Sequence, residues 1–303
     1  MLRLYFCVAT LAALAPMAAS AQSARTFVSG NGVDSNPCTI AAPCRSFTQA
    51  LAQTNSGGEL IILDSAGYGP LVVNKSVSIT APEGVYGGVT VPNGGIGVSI
   101  ANNLKVTLRG LAINGAGVGA TGISVTGANS SVVDVSNCVI QGMTGNGIYV
   151  SGGTTVVTDT SILKNAGSAV AVRALGFGTD PRVSLARVTL SNNDKGVNVS
   201  GPSNGYVYVT IDSSTVSSNA TGYYIVTDTG ISNETLLFSS NTNVANNNTS
   251  IVVGAGATLR LEKTSVSGWF GGGVTNNGQI YSFGDNAIAD SITGNAPNAQ
   301  PLR

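Results

Sequence analysis

The sequence predicts an all-β chain coiled into a solenoid, in which short strands stack rung upon rung. From residue 98 onward, one strand pattern recurs every 22 to 28 residues, and apolar residues alternate within each copy. This alternation is expected for strands that bury one face. No helical pattern separates the copies, so each rung is predicted to pair directly with its neighbours. The equivalent inward positions of this first strand are Val98, Ile123, Ile148, Val170, Val197, Tyr223, Ile251 and Val274.

A second strand follows the first in every coil. It reads Val133 to Ile140 in one coil, and its other copies begin at Val106, Val156, Val183, Val209, Leu237, Leu259 and Tyr281. Inward side chains of neighbouring rungs lie on one another in a solenoid. The register therefore predicts one buried column formed by Val135, Leu185, Ile211 and Leu261. The loops lack the Asn-Gly turns that antiparallel hairpins favour, which leaves a β-sandwich as the weaker alternative.

Two stretches also resemble a known family. The coils from about Leu60 to Ile292 resemble the pectin-lyase-like right-handed parallel β-helix superfamily. Residues 26–47, with Asn36-Pro37-Cys38 and Ala42-Pro43-Cys44, are similar to the amino-terminal cap of secreted bacterial β-helix repeat proteins. The resemblance implies a right-handed parallel β-helix with three short strands per coil. It implies no single activity, because lyases, hydrolases, esterases, adhesins and inert scaffolds share this fold.

Residues 1–21 are predicted to be a secretory signal peptide. Arg3 supplies a positive start, Leu4 to Ala15 form an apolar stretch, and Ala19-Ser20-Ala21 offers a small-residue cleavage site. We therefore expect cleavage near Ala21 and a secreted protein, whether extracellular, on the cell surface or periplasmic. The apolar stretch is too short to span a bilayer, and no membrane span is expected in the mature chain.

Residues 22–58 are predicted to form an amino-terminal cap, and residues 59–303 the β-helix. An open coil exposes its core and its unpaired strand edges, so it needs a cover. Ser46 to Ala52 can form a short amphipathic helix with Phe47, Ala50 and Leu51 on one side. At the other end, the polar residues 296–303 are predicted to add no further rung.

The mature chain has three cysteines, and two of them lie in the cap. In an oxidising compartment, Cys38 and Cys44 are close enough in sequence to form a disulfide that braces the cap. Cys138 falls on an inward column of the second strand, where it is expected to be a free, buried apolar residue.

The composition excludes several function classes. The chain has 14 basic and 14 acidic side chains, and it has no histidine. A nucleic-acid partner is not expected, because neutral charge without a basic cluster provides few phosphate contacts. Without histidine there is no imidazole base and no histidine-ligated metal. We predict no cofactor and no metal site.

The coils differ mainly in the loop between the first and second strands. This loop is longer in three consecutive middle coils, at Ala174 to Arg182, Ser200 to Tyr208 and Val226 to Leu236. Insertions on one face of a repeat protein often mark its binding face, although drift in tolerant surface loops is the alternative. The candidate ligand-binding residues on this face are Tyr149, Arg173, Asp180, Arg182, Tyr206, Tyr208 and Tyr224.

These residue types suit a sugar ligand. Tyrosines offer an apolar face to sugar rings, and an arginine pairs with an acidic sugar through its planar donor fork. The sequence therefore predicts a non-catalytic protein that binds a polysaccharide or cell-surface glycan. Two alternatives stay open: a polysaccharide lyase or glycosidase that uses the same groove, and a purely structural surface protein.

No catalytic residue is assigned. Glycosidases commonly need two carboxylates at a defined separation. Asp159, Asp212 and Glu262 are expected to share one column at intervals of about 10 Å, which is too wide for a retaining pair. We interpret them as solvated turn residues.

Overall fold

The chain is a parallel β-solenoid with one short helix over the residues that the structure describes. These residues, in a computed structural model, are 22–127, 131–175, 179–201, 206–227, 234–268 and 270–301. Their strands form three parallel sheets of 12, 10 and 10 strands. This confirms the predicted fold class. The predicted signal peptide, residues 1–21, lies outside the described residues.

We name the sheet of 12 strands sheet A and the two sheets of 10 strands sheets B and C. Each complete coil contributes one strand to each sheet, in the chain order C, A, B. Strands are numbered in chain order. Sheet A consists of β1 (Ser23–Val28), β2 (Thr54–Ile62), β5 (Val77–Thr80), β8 (Lys105–Arg109), β11 (Val132–Ser136), β14 (Thr154–Thr158), β17 (Arg182–Ala186), β20 (Val207–Asp212), β23 (Thr235–Ser240), β26 (Ala257–Glu262), β29 (Gln279–Phe283) and β32 (Asn298–Gln300).

Sheets B and C complete the coils. Sheet B consists of β3 (Ala66–Gly67), β6 (Gly87–Thr90), β9 (Leu111–Asn114), β12 (Val139–Gln141), β15 (Ser161–Leu163), β18 (Thr189–Ser191), β21 (Thr215–Ser217), β24 (Asn243–Ala245), β27 (Ser265–Ser267) and β30 (Ala287–Ile288). Sheet C consists of β4 (Leu71–Val73), β7 (Ile96–Ile100), β10 (Thr121–Val125), β13 (Ile148–Val150), β16 (Ser168–Arg173), β19 (Lys195–Gly201), β22 (Thr221–Thr227), β25 (Thr249–Val253), β28 (Gly272–Asn276) and β31 (Ile292–Gly294).

The predicted first strand is the sheet C strand, and the predicted second strand spans the sheet A and sheet B strands across a bend. Val135 pairs through Val157 with Leu185, and Leu185 pairs with Ile211, so the predicted inward column exists. Two inward residues that the alignment left out, Val157 and Ser239, complete it between Val135 and Leu261. The side chains of this column are buried.

The predicted register was wrong by one residue in two places. Val133 pairs with Thr155 and not with Val156, and Leu259 pairs with Ile280 and not with Tyr281. The first correction also moves Asp159 out of the predicted acidic column: Thr158 is the residue in register with Ala186 and, through it, with Asp212.

A short helix covers the amino-terminal end, as predicted. Helix α1 (Phe47–Gln53) begins after Ser46, whose hydroxyl oxygen accepts a hydrogen bond from the Gln49 backbone N–H at 3.3 Å. Such a cap satisfies an amide that would otherwise lack a partner at the helix start. Phe47, Ala50 and Leu51 are buried against the first coils. The cap is continuous with the solenoid, because β1 pairs with β2 as the first rung of sheet A.

The cysteines lie as the sequence predicts. Cys38 and Cys44 form a disulfide across a Cα–Cα distance of 4.6 Å, and Cys44 also bridges to Val28 of β1. Cys138 is free and buried, and burial raises the pKa of its thiol to about 11. The disulfide therefore closes a loop within the cap, and the backbone of this loop pairs with β1 and the residue after it. Cys138 is an unreactive part of the core.

A ladder of buried amides runs along the turn between sheets B and C. This asparagine ladder consists of Asn165, Asn193, Asn219 and Asn247. The side-chain Nδ2 of each of the first three donates to Oδ1 of the next at 2.9 to 3.1 Å, and Nδ2 of the last donates to the Val216 carbonyl oxygen. Each member follows a residue with positive φ, between 54° and 58°, which turns the chain towards sheet C. The asparagine of each turn thus provides a hydrogen-bond partner for the asparagine of the neighbouring turn inside the solenoid.

The carboxyl-terminal tail departs from its prediction. Asn298–Gln300 forms β32 and pairs with β29, so the tail does add a strand to sheet A. Among the described residues, no helix has the length and apolar character needed to cross a membrane.

Candidate functional site

The long middle loops join the ends of sheet C strands to the starts of sheet A strands. Residues 176–178, 202–205 and 228–233 of these loops lie outside the described residues. All seven predicted ligand-binding residues are described. Three of them lie on sheet C and four on the sheet A side of the same corner.

The sheet C residues do not form one platform. The outward column reads Tyr149, Ala171, Asn198 and Tyr224. Two rungs lie between the tyrosines, so three steps along the sheet place them about 14 Å apart. Arg173 is exposed at the end of β16, beside Ser200. Tyr224 has the Lys195 ammonium 5.4 Å from its ring centroid.

The sheet A residues come together. Tyr206 and Tyr208 project to the same side with parallel rings, 6.1 Å between centroids and 4° between planes. The Arg182 guanidinium lies 6.0 Å from the Tyr208 ring centroid, one rung away. The Tyr206 backbone N–H donates to Asp180 Oδ1 at 3.2 Å, which holds the start of this strand to the previous coil.

Further aromatic and charged residues continue this surface along sheet A. The second outward column carries Phe238, Arg260 and Tyr281 on three successive rungs. The Arg260 guanidinium lies 5.9 Å from the Tyr281 ring centroid. We name the whole surface the aromatic face, and its members are Arg182, Tyr206, Tyr208, Phe238, Arg260 and Tyr281.

Phe238, Arg260 and Tyr281 were missed as site residues in the sequence. The repeat places Phe238 and Arg260 on one outward column of sheet A, whereas Tyr281 joins this column only in the corrected register, in which Leu259 pairs with Ile280. The long loops predicted a binding site only at the corner between sheets C and A.

One carboxylate connects the two parts of the aromatic face. The Tyr208 hydroxyl donates to Glu234 Oε2 at 3.2 Å, and Glu234 Oε1 lies 3.9 Å from an Arg260 guanidinium nitrogen. Partial burial and the negative charge of Glu234 raise the pKa of the Tyr208 hydroxyl. The tyrosine therefore stays a neutral hydrogen-bond donor across the physiological range.

A cleft of about 560 Å³ opens beside Tyr206 and Glu234. Gly256, which has a positive φ of 77° in the turn before β26, and Asn277, which precedes β29, both line the cleft. Thr258 and Gln279 of the neighbouring column also line the cleft. This size falls within the usual range of small-ligand sites, about 300–1,000 Å³.

Two of the three predicted acidic turn residues, Asp159 and Asp212, are held by hydrogen bonds and an ion pair, and none of the three lines this cleft. Arg187 makes a two-pronged ion pair with Asp159, at 2.7 and 2.8 Å. Asp212 accepts hydrogen bonds from Ser240, Asn241 and Ser213, which lower the pKa of its carboxyl group. Within the described part of the chain, no group of three or more histidine, cysteine or acidic residues has the arrangement of a metal site.

A solenoid whose stacked coils form three parallel sheets defines a β-helix protein. The family profile described as right handed beta helix region matches residues 121–288, more than half of the chain. The chain belongs to this family. The resemblance to the pectin-lyase-like superfamily is thereby confirmed at the level of the fold.

Several solved structures are similar. A pectate lyase, Pel9A, aligns with a TM-score of 0.68 and 14% identity, over 93% of this chain and 80% of that one. The complex of XylC with xylose aligns with a TM-score of 0.59 and 9% identity, over 91% and 70%. A polygalacturonase from Erwinia carotovora aligns with a TM-score of 0.53 and 14% identity, over 92% and 97%. No curated protein sequence matches the chain.

These identities are low, so the likenesses establish a shared fold and no shared site. The β-helix fold of this chain is common to polysaccharide lyases and hydrolases. Function has to be argued from the residues of this chain.

Proposed function

We propose that this protein binds a polysaccharide or cell-surface glycan along its aromatic face without cleaving it. The observation that carries the proposal is the parallel pair Tyr206 and Tyr208, of which Tyr206 is 46% exposed. Exposed rings cost free energy in water, and the apolar face of a sugar ring covers such rings well. The pair places two aromatic side chains side by side on one strand, where together they offer apolar area to a sugar ring.

The repeat geometry favours a polymer over a single sugar. Rungs of sheet A follow one another at about 4.8 Å, so the aromatic face extends the same chemistry over several coils. Arg182 and Arg260 add planar donors beside the rings, and such donors suit sugar hydroxyl or carboxylate oxygens. Arg173, Tyr149 and Tyr224 lie on sheet C, on the other side of this corner from the aromatic face.

We also propose that the protein is secreted. The signal peptide predicted over residues 1–21 and the disulfide between Cys38 and Cys44 support this. A location outside the cytoplasm would give the aromatic face access to glycans.

Binding should be lost when the tyrosine pair is removed. A glycan array on the purified protein selects the ligand, and titration calorimetry then measures the dissociation constant. We expect Tyr206→Ala with Tyr208→Ala to weaken binding by at least about tenfold, because aromatic anchors dominate such contacts. Arg173→Ala with Tyr224→Ala should weaken it by a smaller factor.

The matched control is Tyr86→Ala, since Tyr86 is 51% exposed on a coil far from the aromatic face. This variant should bind normally. Normal binding by the Tyr206 and Tyr208 double variant would contradict the proposal, as would an array without any bound glycan. Release of shorter fragments from the bound polysaccharide would replace non-catalytic binding with the enzyme alternative.

A further inference from the structure

The cleft beside the tyrosine pair differs in charge from the rest of the aromatic face. Among its described lining residues, Glu234 is the only one that carries a charge. Tyr206 lines the cleft together with this carboxylate, and so do Asn277 and Gln279, whose side chains carry amides. The cleft thus combines one anion, one aromatic ring and neutral amides.

Glu234 retains capacity for a further hydrogen-bond donor. An ionised carboxylate offers about four acceptor positions, and the Tyr208 hydroxyl uses one of them at 3.2 Å. The nearest Arg260 nitrogen is 3.9 Å from Oε1, beyond hydrogen-bond distance, and both side chains are well exposed to solvent. An exposed pair of this length is worth little, so Arg260 does not cancel the carboxylate as a binding group.

We propose that this cleft binds a sugar that carries a free primary amine, as in glucosamine, with the ammonium group on Glu234 and the ring against Tyr206. The inference rests on the proposed glycan binding and narrows it to a cationic sugar at this position. An ammonium group has three donors for carboxylate and amide oxygens, and its charge is attracted to an aromatic face. A uronic acid at the same position would be repelled by Glu234.

The test compares two ligands that differ only at the sugar nitrogen. Titration calorimetry measures binding of the hexamer of β-1,4-linked glucosamine and of its N-acetylated counterpart. We expect the free amine to bind about five- to tenfold more tightly, as a charge-assisted hydrogen bond in a solvated site allows. Added salt should reduce the difference, because it screens a partly exposed ion pair.

Glu234→Gln separates charge from shape, because it keeps the size of the side chain. This variant should bind both hexamers about equally, whereas Glu262→Gln, four residues beyond Thr258 on the same strand, should retain the preference. Equal binding of the two hexamers by the unmodified protein would overturn the inference, and so would a preference that persists in Glu234→Gln. Failure of the glucosamine hexamer to bind also overturns it, while the proposed function stands if another glycan binds through Tyr206 and Tyr208.

Discussion

Replacing Val157 with aspartate is expected to lower the free energy of unfolding by more than about 3 kcal/mol, because an unpaired carboxylate enters the core and a buried valine is lost. Val157 is fully buried between Val135 and Leu185 of the inward column. The shift of the urea midpoint measures the effect. Val135→Asp, in the adjacent rung, should behave in the same way.

The neighbouring Val156 is the matched control. It faces outward on the same strand, so Val156→Asp should cost about 1 kcal/mol or less, the range of a strand-propensity change at a surface position. Equal losses in the two variants would contradict the structure. A larger loss in Val156→Asp would mean that this coil has the register predicted from sequence.

Replacing Asn193 with alanine is expected to cost about 2–4 kcal/mol, because it leaves buried polar groups without partners on both sides. Asn193 is 5% exposed, and its Oδ1 accepts from the backbone and side-chain nitrogens of Asn165. Its Nδ2 donates to Asn219 Oδ1 and to the carbonyl oxygens of Ile162 and Ser191. Thermal unfolding followed by circular dichroism measures the loss.

The control for the asparagine ladder is Asn243→Ala in sheet B. Asn243 is exposed, and its Oδ1 accepts a single hydrogen bond from the Ser265 hydroxyl. Its removal should change stability by about 0.5 kcal/mol or less, as expected for a surface position. A loss for Asn193→Ala no greater than that of the control would show that the ladder does not stabilise the coil.

The fold could be predicted from the sequence because its signal is repeated. Each coil restates the inward positions, so errors in one coil do not obscure the others. The register failed where the pattern is ambiguous: in β14, Thr155 occupies a buried position and two adjacent valines, Val156 and Val157, leave the alternation undecided. The strand Asn298–Gln300 was missed because two of its three side chains are polar, although backbone hydrogen bonds suffice to pair an edge strand.

The candidate site could be predicted only in part. Counting back from the second strand correctly aligns Arg182 with Tyr208, and this alignment brings Tyr206 and Tyr208 to one corner. The same count did not reveal the cleft, because most of its lining residues are small or neutral and do not stand out in the repeat. The bond from Tyr208 to Glu234 depends on side-chain rotamers, which no strand pattern specifies.

A crystal structure of the protein with the oligosaccharide that binds most tightly would test the central claim most directly. The account predicts sugar rings packed against Tyr206 and Tyr208, with the chain of sugars crossing successive rungs of sheet A. Sugar density on sheet B or at an end of the solenoid, with the aromatic face exposed to solvent, would contradict it.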